Sequence, residues 1–330
     1  MACDISGRRV IVTGATGFVG RYLVPGLLSS GAQVTVITRD AEKVPSGFAD
    51  NVTIIQLDLI KDAVDITAGA EIVFHCAGET KEHDKFYDMN VKGTKKLLEE
   101  CTNSKGIKKF IYLSSVGVIG AQRAGYYDEL AQCFPRDPYE KSKLVAEKLV
   151  FEYTARNGID AFILRPSIIY GPGKGEETDS FLSLIRAIKK RYFRYIGSDK
   201  AVYNIIYVKD VVEALICLAG KSASPAQKVY HINDPIEWGV FVKEVRSVLG
   251  MGKDASFLNK DIAYIGALFS ETLGVFGVKV PFSMSRYRVL TNKTVFNAEQ
   301  IKKYVGFNLL FGNRNGIRET IQDYIDRGLI

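Results

Sequence analysis

Residues 13 to 20 decide the fold class and read Thr13-Gly14-Ala15-Thr16-Gly17-Phe18-Val19-Gly20. The β-branched run 9–13 before this stretch predicts a strand, and the apolar pattern of 18–29 predicts a helix. Glycines three residues apart allow a tight turn and a close approach of backbone to a ligand. Free N–H groups at the start of such a helix attract phosphate. The stretch therefore predicts a dinucleotide site, contacted by Gly14, Thr16, Gly17, Phe18, Val19 and Gly20.

Further along the chain, short β-branched runs keep alternating with helical patterns. Strands are predicted at 33–38, 52–56, 72–75, 109–113 and 161–165, and helices at 90–101 and 139–156. This alternation predicts an α/β fold, a Rossmann-type doubly wound parallel sheet with a smaller, mixed C-terminal substrate lobe. We assign 1–170 to the dinucleotide-binding domain, with 198–235 returning to it through a strand at 229–232. The lobe would comprise 171–197 and 236–330.

Composition and charge exclude several classes of protein. Of the 330 residues, 47% are hydrophobic and 25% charged, which is typical of a globular protein. Lys and Arg outnumber Asp and Glu by 44 to 37, but the basic clusters lie far apart, so nucleic-acid binding is not predicted. The five cysteines form no CxxC pair, so neither a disulfide framework nor a metal site is predicted. The N-terminus shows no apolar leader, which favours a cytoplasmic protein.

The most hydrophobic stretch covers residues 262–280. It contains charged residues and is not expected to span a membrane. Its apolar residues recur at helical spacing, at Ile262, Ile265, Phe269, Leu273 and Phe276. We expect a helix whose apolar face covers a core or a pocket, with contact to one membrane leaflet as the weaker alternative.

The ends of the next predicted strands bear on the choice of dinucleotide. An acidic residue after the second strand accepts the ribose hydroxyls of NAD, whereas an Arg suits the 2′-phosphate of NADP. Arg39 comes first here and Asp40 follows, so NADP is favoured and NAD stays open. Asp58 and Leu59 follow the third strand, where the adenine would lie. After the fourth strand, the small residues of Ala77-Gly78 allow backbone to pass close to the cofactor.

Tyr139 and Lys143 stand four residues apart at the start of a predicted helix, so their side chains share one face. A neighbouring ammonium and a positive nicotinamide ring favour a phenolate, which would lower the pKa of Tyr139 from about 10. Tyr139 would then act as acid or base near neutral pH. Ser114 and Ser115 follow the strand 109–113 at the same sheet edge, and either hydroxyl would hold a substrate oxygen beside Tyr139.

Eight blocks of sequence occur in an order that is typical of one family. They are TGATGFVG (13–20), DL (58–59), HCAG (75–78), NVKGTKKLLE (90–99), YLSSVGVIG (112–120), YEKSK (139–143), LRPSIIYGPG (164–173) and YVKDVVEA (207–214). With these blocks the chain resembles the extended short-chain dehydrogenase/reductase family, within the NAD-dependent epimerase/dehydratase superfamily. That group includes nucleotide-sugar epimerases and dehydratases, dihydroflavonol reductases and 3β-hydroxysteroid dehydrogenases.

The resemblance implies a role for several residues. Ser115 would be the catalytic hydroxyl and Tyr139 the proton carrier, while Lys143 would bind the nicotinamide ribose and lower the pKa of the tyrosine. Pro166 and Ser167 would lie against the nicotinamide. It also implies that Asn90 packs a helix near the site, and that a homodimer forms through the helices that begin near residues 90 and 139.

Two departures from the family pattern reduce the range of activities and substrates that we expect. The family's dehydratases carry Asp and Glu where this chain has Val116 and Gly117, so dehydration by that route is not expected. Many sugar-nucleotide enzymes place an Arg, which binds the substrate diphosphate, at the position of Tyr203. The absence of that Arg, with Phe193 and Tyr195 nearby, favours a less charged substrate. Alternatively, these aromatic residues form the core of the lobe.

Three functions remain open at this point. The leading interpretation is an oxidoreductase that moves hydride between NADP or NAD and a secondary alcohol or ketone. Its small-molecule substrate would be a less charged cyclic ketone or alcohol, or a nucleotide sugar. The runner-up is a nucleotide-sugar epimerase with tightly bound NAD and no net redox change. A non-catalytic nucleotide-sensing protein is the third, but it predicts a broken tyrosine or lysine, and Tyr139 and Lys143 are both present.

Overall fold

Strands and helices alternate along the first half of the chain, as the sequence pattern predicts. The computed structural model describes residues 5–62, 69–104, 106–120, 124–174, 179–221, 228–252, 254–275 and 282–330, with backbone only for 271–275. In chain order its strands are β1 (Arg9–Thr13), β2 (Gln33–Thr38), β3 (Thr53–Gln56), β4 (Ile72–His75), β5 (Lys109–Leu113), β6 (Gly125–Tyr127), β7 (Asp160–Pro166), β8 (Ile168–Tyr170), β9 (Arg194–Ile196), β10 (Val202–Tyr207), β11 (Val229–Ile232), β12 (Asp234–Glu237), β13 (Ser256–Leu258) and β14 (Thr294–Phe296).

The helices of the described residues lie between these strands and continue to the C-terminus. They are α1 (Gly20–Ser29), α2 (Ser46–Ala49), α3 (Gly93–Asn103), α4 (Pro138–Arg156), α5 (Ser180–Lys189), α6 (Val208–Ala219), α7 (Trp238–Val248), α8 (Lys260–Val275), α9 (Met284–Leu290) and α10 (Gly312–Asp326). A π-helical turn, Asp88–Lys92, runs directly into α3.

Seven strands form one parallel sheet in the order β11-β7-β5-β4-β1-β2-β3. The strand order reverses between β1 and β4, which lie side by side, with Val12 opposite Phe74. In sheets of this kind a ligand binds in the crevice outside the carboxyl ends of the strands at the reversal. The predicted Rossmann-type fold is therefore confirmed, and it directs attention to the segments that follow β1 and β4.

Alternate residues of the central strands are buried on opposite faces of the sheet. Val12 and Phe74 pack in the larger core together with residues of α1 and α6. Ile11 and Val73 pack in a second core with residues of α3 and α4. Burial on both faces explains why these strands read as nearly continuous apolar runs.

The remaining strands form smaller sheets around the carboxyl edge. β10 pairs with β8 and β12, β13 pairs with β9, and β14 pairs with β6. β11 joins the main sheet beside β7, whereas β10 does not belong to it. The domain limits given above therefore stay a prediction, and the return of the chain to the main sheet is seen at β11.

The apolar stretch 262–280 forms α8 over its first part, but the orientation expected for its apolar face is wrong. Ala263 and Ala267 are the residues that pack inward, while Ile262, Ile265 and Phe269 are exposed. The small alanines permit close packing of the helix, which leaves the larger side chains on the outside. Residues 276–280, and with them Phe276, lie outside the described residues. No helix of the described chain is long and apolar enough to cross a membrane.

Candidate active site at the carboxyl ends of the sheet

The glycine-rich turn after β1 is shaped by its own backbone and by the segment after β4. Gly14 has a φ of +76°, and a Cβ there would lie 2.6 Å from the backbone nitrogen of Ala77. A Cβ on Gly20 would overlap the carbonyl oxygen of Gly14. Gly17 is exposed, and a Cβ there would meet only the Gly14 oxygen, at 3.1 Å. Gly14 and Gly20 thus serve the fold, whereas Gly17 leaves space in front of α1.

Backbone N–H groups at this turn fit an anionic ligand. In the described part of the chain, the N–H groups of Phe18 and Val19 donate to no backbone carbonyl. Both residues come just before the ten-residue helix α1. Free N–H groups and the positive end of a helix dipole suit a pyrophosphate, so this turn fits the dinucleotide that the sequence predicts.

Arg39 and Asp40, which follow β2, differ in whether their side chains already have partners in the protein. Asp40 accepts a hydrogen bond from the Glu42 N–H and lies 3.0 Å from the Lys43 ammonium, which lowers the pKa of Asp40. Arg39 is exposed, and its guanidinium contacts the Met89 sulfur at 4.0 Å without an ion pair among the described residues. Arg39 is therefore the side chain at this strand end that is available to a ligand.

The predicted adenine residues lie at the end of β3. Asp58 is partly buried, and its Oδ1 accepts a hydrogen bond from the Ile60 N–H at 2.9 Å. Leu59 packs against the core formed with α3 and α4. The role of Asp58 and Leu59 toward adenine stays a prediction.

His75 at the end of β4 is buried and holds the ends of two strands together. Its Nδ1 lies 2.7 Å from the Thr13 hydroxyl, and its Nε2 lies 2.8 Å from the Thr94 hydroxyl. The Thr13 hydroxyl also accepts the Ala77 N–H, which keeps the segment after β4 against the glycine turn. Burial, and then the charge of Lys143, lower the pKa of His75 to about 3. The His75 ring is neutral and each of its nitrogens is hydrogen-bonded, so His75 has a structural role and is not a base.

Lys143 lies buried at the same sheet edge. Its Nζ donates to the Leu113 carbonyl at 2.9 Å and lies 4.7 Å from the centre of the Tyr112 ring. A Cβ on Gly78 would be 3.3 Å from this nitrogen. Burial lowers the pKa of Lys143 to about 8. The structure therefore places the ammonium beside Gly78, at the segment predicted to contact the cofactor.

Tyr139 lies in the first turn of α4, which Asp137 caps by accepting the Glu140 N–H at 2.8 Å. The Tyr139 ring meets Phe86 edge-on at 5.7 Å, and within the described chain its hydroxyl has no hydrogen-bond partner. Burial, and then the Asp137 and Glu140 carboxylates, raise the pKa of Tyr139 to about 12. The expected lowering by Lys143 is therefore wrong for the protein alone, because burial dominates the pKa of the phenol.

The two serines after β5 are not equivalent. Ser114 is buried, and its hydroxyl donates to Glu147 at 2.5 Å. Ser115 is partly exposed, and its Oγ accepts the Gly117 N–H at 3.0 Å, which leaves its own proton available. Ser115 is therefore the serine that is able to hold a substrate oxygen.

Pro166 and Ser167 end β7 and begin the turn to β8. The Ser167 backbone N–H donates to Ile232 at 3.0 Å. Its hydroxyl is buried and has no partner among the described residues. A buried hydroxyl without a partner fits a polar group of a ligand at this edge; its contact with nicotinamide stays a prediction.

Sequence reasoning missed a buried ion pair below the site. Arg165 donates from Nε and Nη2 to the Glu147 carboxylate, at 2.9 and 2.6 Å. Glu147 follows Tyr139 and Lys143 at the same four-residue spacing on α4, and that spacing was the available signal. Asn90 packs as expected from the resemblance, because its amide binds the Glu79 backbone and the Ser142 hydroxyl.

The aromatic residues near Tyr203 belong to the core of the lobe. Tyr203 stacks on Trp238 with ring centres 4.2 Å apart, and Phe193 and Tyr195 are buried beside each other. This agrees with the alternative in which they form a core, and it removes the aromatic argument for an uncharged substrate. In the described chain no three His, Cys, Asp or Glu side chains come together to hold a metal ion.

Comparisons with known proteins agree with this fold. A family model described as the NAD dependent epimerase/dehydratase family matches residues 10–233. The chain is 29% identical to the Arabidopsis thaliana protein named 3beta-hydroxysteroid-dehydrogenase/decarboxylase isoform 1, covering 96% of this chain and 80% of that protein. Isoform 2 from the same plant is 28% identical over 96% of this chain, which spans only 62% of the length of that relative.

Among solved structures, a UDP-N-acetylglucosamine 4-epimerase from Methanobrevibacter ruminantium M1 has the same fold. Its TM-score is 0.75 at 21% identity, covering 98% of this chain and 100% of that one.

Proposed function

The chain belongs to the NAD dependent epimerase/dehydratase family, and from this we propose that it is a dehydrogenase or reductase acting on a secondary alcohol or ketone. Family membership makes the protein an enzyme that uses a nicotinamide dinucleotide, NAD or NADP. One observation carries the proposed reaction: the Tyr139 hydroxyl has no partner in the described protein, while Lys143 on the same helix lies fixed beside Gly78.

The residues at the sheet edge fit such a dinucleotide. The turn Gly14–Gly20 would hold the pyrophosphate, Arg39 a 2′-phosphate, and Lys143 the ribose of the nicotinamide half. Lys143 has three N–H donors and uses one on Leu113, so two remain for ribose hydroxyls. When bound, the nicotinamide supplies or accepts the hydride. The free Ser167 hydroxyl and the exposed face of Gly17 support the same placement.

Tyr139 and Ser115 would handle the substrate oxygen. A phenol with a pKa of about 12 is protonated near neutral pH, which is the state that donates a proton when a ketone is reduced. The Ser115 proton would hold the same oxygen in place while its Oγ stays bonded to Gly117. In the oxidative direction, the positive charges of Lys143 and of the nicotinamide ring would favour the phenolate.

A hydroxysteroid or a similar cyclic alcohol or ketone is the substrate class we propose. Two curated relatives are named for 3beta-hydroxysteroids. The chain also lacks an Arg at position 203, and two basic side chains of the lobe are engaged elsewhere: Arg186 donates to the Leu329 carbonyl, and Arg194 to those of Arg191 and Phe193. A substrate without a diphosphate suits this site best.

The decisive experiment compares Tyr139→Phe with wild type, using a 3β-hydroxysteroid and each cofactor, at the absorbance of the reduced nicotinamide. We expect kcat to fall about 100-fold or more because the proton carrier is lost, with cofactor affinity nearly unchanged. Tyr87→Phe is the matched control, since Tyr87 is exposed. Full activity of Tyr139→Phe would contradict the role. NAD that stays bound through purification, without net turnover, would instead indicate an epimerase.

A further inference from the structure

The segment 171–174 follows β8 and lies against the start of α1. The Tyr22 hydroxyl of α1 donates to the Pro172 carbonyl at 2.9 Å. A Cβ on Gly171 would come within 3.4 Å of the Phe18 ring, so the two segments are in close contact there. These contacts place the segment beside the residues that lead into α1, where the glycine-rich turn ends.

Lys174 ends this segment, and its ammonium lies over the Phe18 ring, 5.3 Å from the ring centre. The Nζ atom donates one hydrogen bond, to the Ile169 carbonyl at 3.0 Å. An ammonium has three N–H donors, so two remain for a ligand. Within the described residues no carboxylate forms an ion pair with Lys174. The lysine is therefore held in place without being neutralised.

The surroundings of Lys174 favour an added negative charge. Burial lowers the pKa of Lys174; the Asp179 carboxylate raises it, and the positive charge of Lys81 lowers it again. Both Asp179 oxygens already accept hydrogen bonds, from the Phe181 N–H and from the Tyr324 hydroxyl. A half-buried ammonium that lacks a paired anion is stabilised by an anionic ligand.

The turn beside Lys174 offers only partial positive charges of its own. Residues 13–20 include no Lys or Arg. The N–H groups of Phe18 and Val19, which donate to no backbone carbonyl of the described chain, and the dipole of α1 attract an anion. The ammonium over the Phe18 ring adds a full charge beside them. Because a lysine stem is long and flexible, its donors are able to reach a ligand that the backbone positions.

We propose that Lys174 binds the pyrophosphate of the dinucleotide, together with the N–H groups of the glycine-rich turn. This inference rests on the proposed function, in which that turn holds the cofactor. A substrate phosphate is the other source of the same chemistry, but the contact with Phe18 places Lys174 at the cofactor's turn. Charge-assisted hydrogen bonds are roughly twice as strong as neutral ones, so the lysine would help to retain the cofactor.

The test is calorimetric titration of the full chain with NADP and with ADP-ribose, which keeps the pyrophosphate and lacks the nicotinamide. Lys174→Met removes the charge and keeps an unbranched side chain. We expect it to bind both ligands about tenfold more weakly, because a charge-assisted contact is lost. Affinity should also depend less on salt in Lys174→Met than in wild type. Lys174→Arg keeps the charge and should retain most of the affinity, which a purely structural lysine would not explain.

The matched control is Lys303→Met. Lys303 is exposed and also lies over an aromatic ring, that of Tyr304, at 5.1 Å. It belongs to the turn Ile301–Val305 beside β11, and three strands of the sheet separate β11 from β1. Lys303→Met should bind both ligands as wild type does.

Gly17→Ala separates this proposal from the placement of the cofactor. If Gly17→Ala binds NADP more weakly and Lys174→Met binds it as wild type does, the role of Lys174 alone is overturned. Unchanged affinity in both variants overturns the placement of the pyrophosphate as well. If Lys174→Met keeps its affinity for NADP but loses affinity for UDP added to the NADP complex, the lysine serves a substrate phosphate and the proposal is wrong. Thermal unfolding shows that each variant is folded, and Lys174→Gln replaces Lys174→Met if that variant does not fold.

Discussion

Ser114 and Ser115 are adjacent in the chain, but their hydroxyl groups have different surroundings. The Ser114 hydroxyl is buried on Glu147, whereas Ser115 keeps a proton available at the cleft. We predict that Ser114→Ala lowers the free energy of unfolding by about 1–3 kcal/mol, because the buried Glu147 carboxylate loses one of its three donors. Ser115→Ala should lower kcat and leave stability nearly unchanged. Denaturant unfolding and steady-state kinetics on both variants check this; the reverse pattern would assign catalysis to Ser114.

Arg39 is the single residue that we expect to set the cofactor preference. Asp40 is engaged by Glu42 and Lys43, so the exposed Arg39 guanidinium is the group left to meet a 2′-phosphate. Arg39→Ala should weaken NADP binding at least tenfold and have little effect on NAD, because it removes a charge-assisted hydrogen bond of about 1.5–3 kcal/mol. Calorimetric titration of both cofactors measures this, with Lys95→Ala, at an exposed site on α3, as control. Equal losses for both cofactors would remove the 2′-phosphate argument.

At the scale of elements, we expect the glycines of the turn 13–20 to have different roles, some in folding and one in ligand binding. A Cβ on Gly20 would collide with backbone, whereas a Cβ on exposed Gly17 would meet only the Gly14 oxygen, at 3.1 Å. We expect Gly20→Ala to lower the unfolding midpoint. Gly17→Ala should fold normally and bind either dinucleotide more weakly. Thermal unfolding and titration with cofactor check the pair; unchanged cofactor affinity in Gly17→Ala would place the pyrophosphate elsewhere.

Elements governed by local pattern could be predicted from the sequence, and those governed by distant partners could not. The predicted bounds of β1, β4, β5 and β11 agree with the structure, because β-branched residues and flanking turns mark each strand locally. The pairing of β6 with β14 joins segments far apart in the chain and left no local signal.

The candidate site divides in the same way. The spacing of Tyr139 and Lys143 was visible in the sequence, but the choice between the two serines needed the position of Glu147. Helical periodicity likewise located α8 and its apolar stripe without fixing the direction in which the stripe points, because direction depends on what the helix packs against.

For the whole molecule, the family resemblance predicts a homodimer through α3 and α4. Val145 is a partly exposed apolar residue on α4, with 38% of its surface accessible. A carboxylate in the middle of an interface is unfavourable, so Val145→Glu should shift sedimentation velocity from dimer to monomer. Ile265→Glu on α8 should leave the dimer intact. A wild-type monomer at all concentrations would refute the predicted dimer.

Stability in acid is also a property of the whole chain, and two of its three histidines contribute to it because they are buried in the folded protein. Burial lowers the pKa of His75 and of His231 to about 3. A folded pKa below the unfolded value of about 6.5 means that the unfolded chain binds the extra proton. Stability from each ring is therefore fully present above pH 6.5 and is lost as pH falls toward 3. Glu129, with a pKa raised to about 6, opposes this loss between about pH 6 and 4.5.

The difference between wild type and a histidine variant isolates this effect from the carboxylates. From pH 7 to 5, wild type should lose about 2 kcal/mol more of its free energy of unfolding than His75→Asn, because one proton costs about 1.4 kcal/mol per pH unit below 6.5. His231→Asn should behave alike, and His83→Asn, at an exposed site, should follow wild type. Urea unfolding at each pH measures the slopes. A His75→Asn profile parallel to that of wild type would mean that the buried ring takes up a proton without unfolding, so the hydrogen bonds to Thr13 and Thr94 would not be holding it neutral.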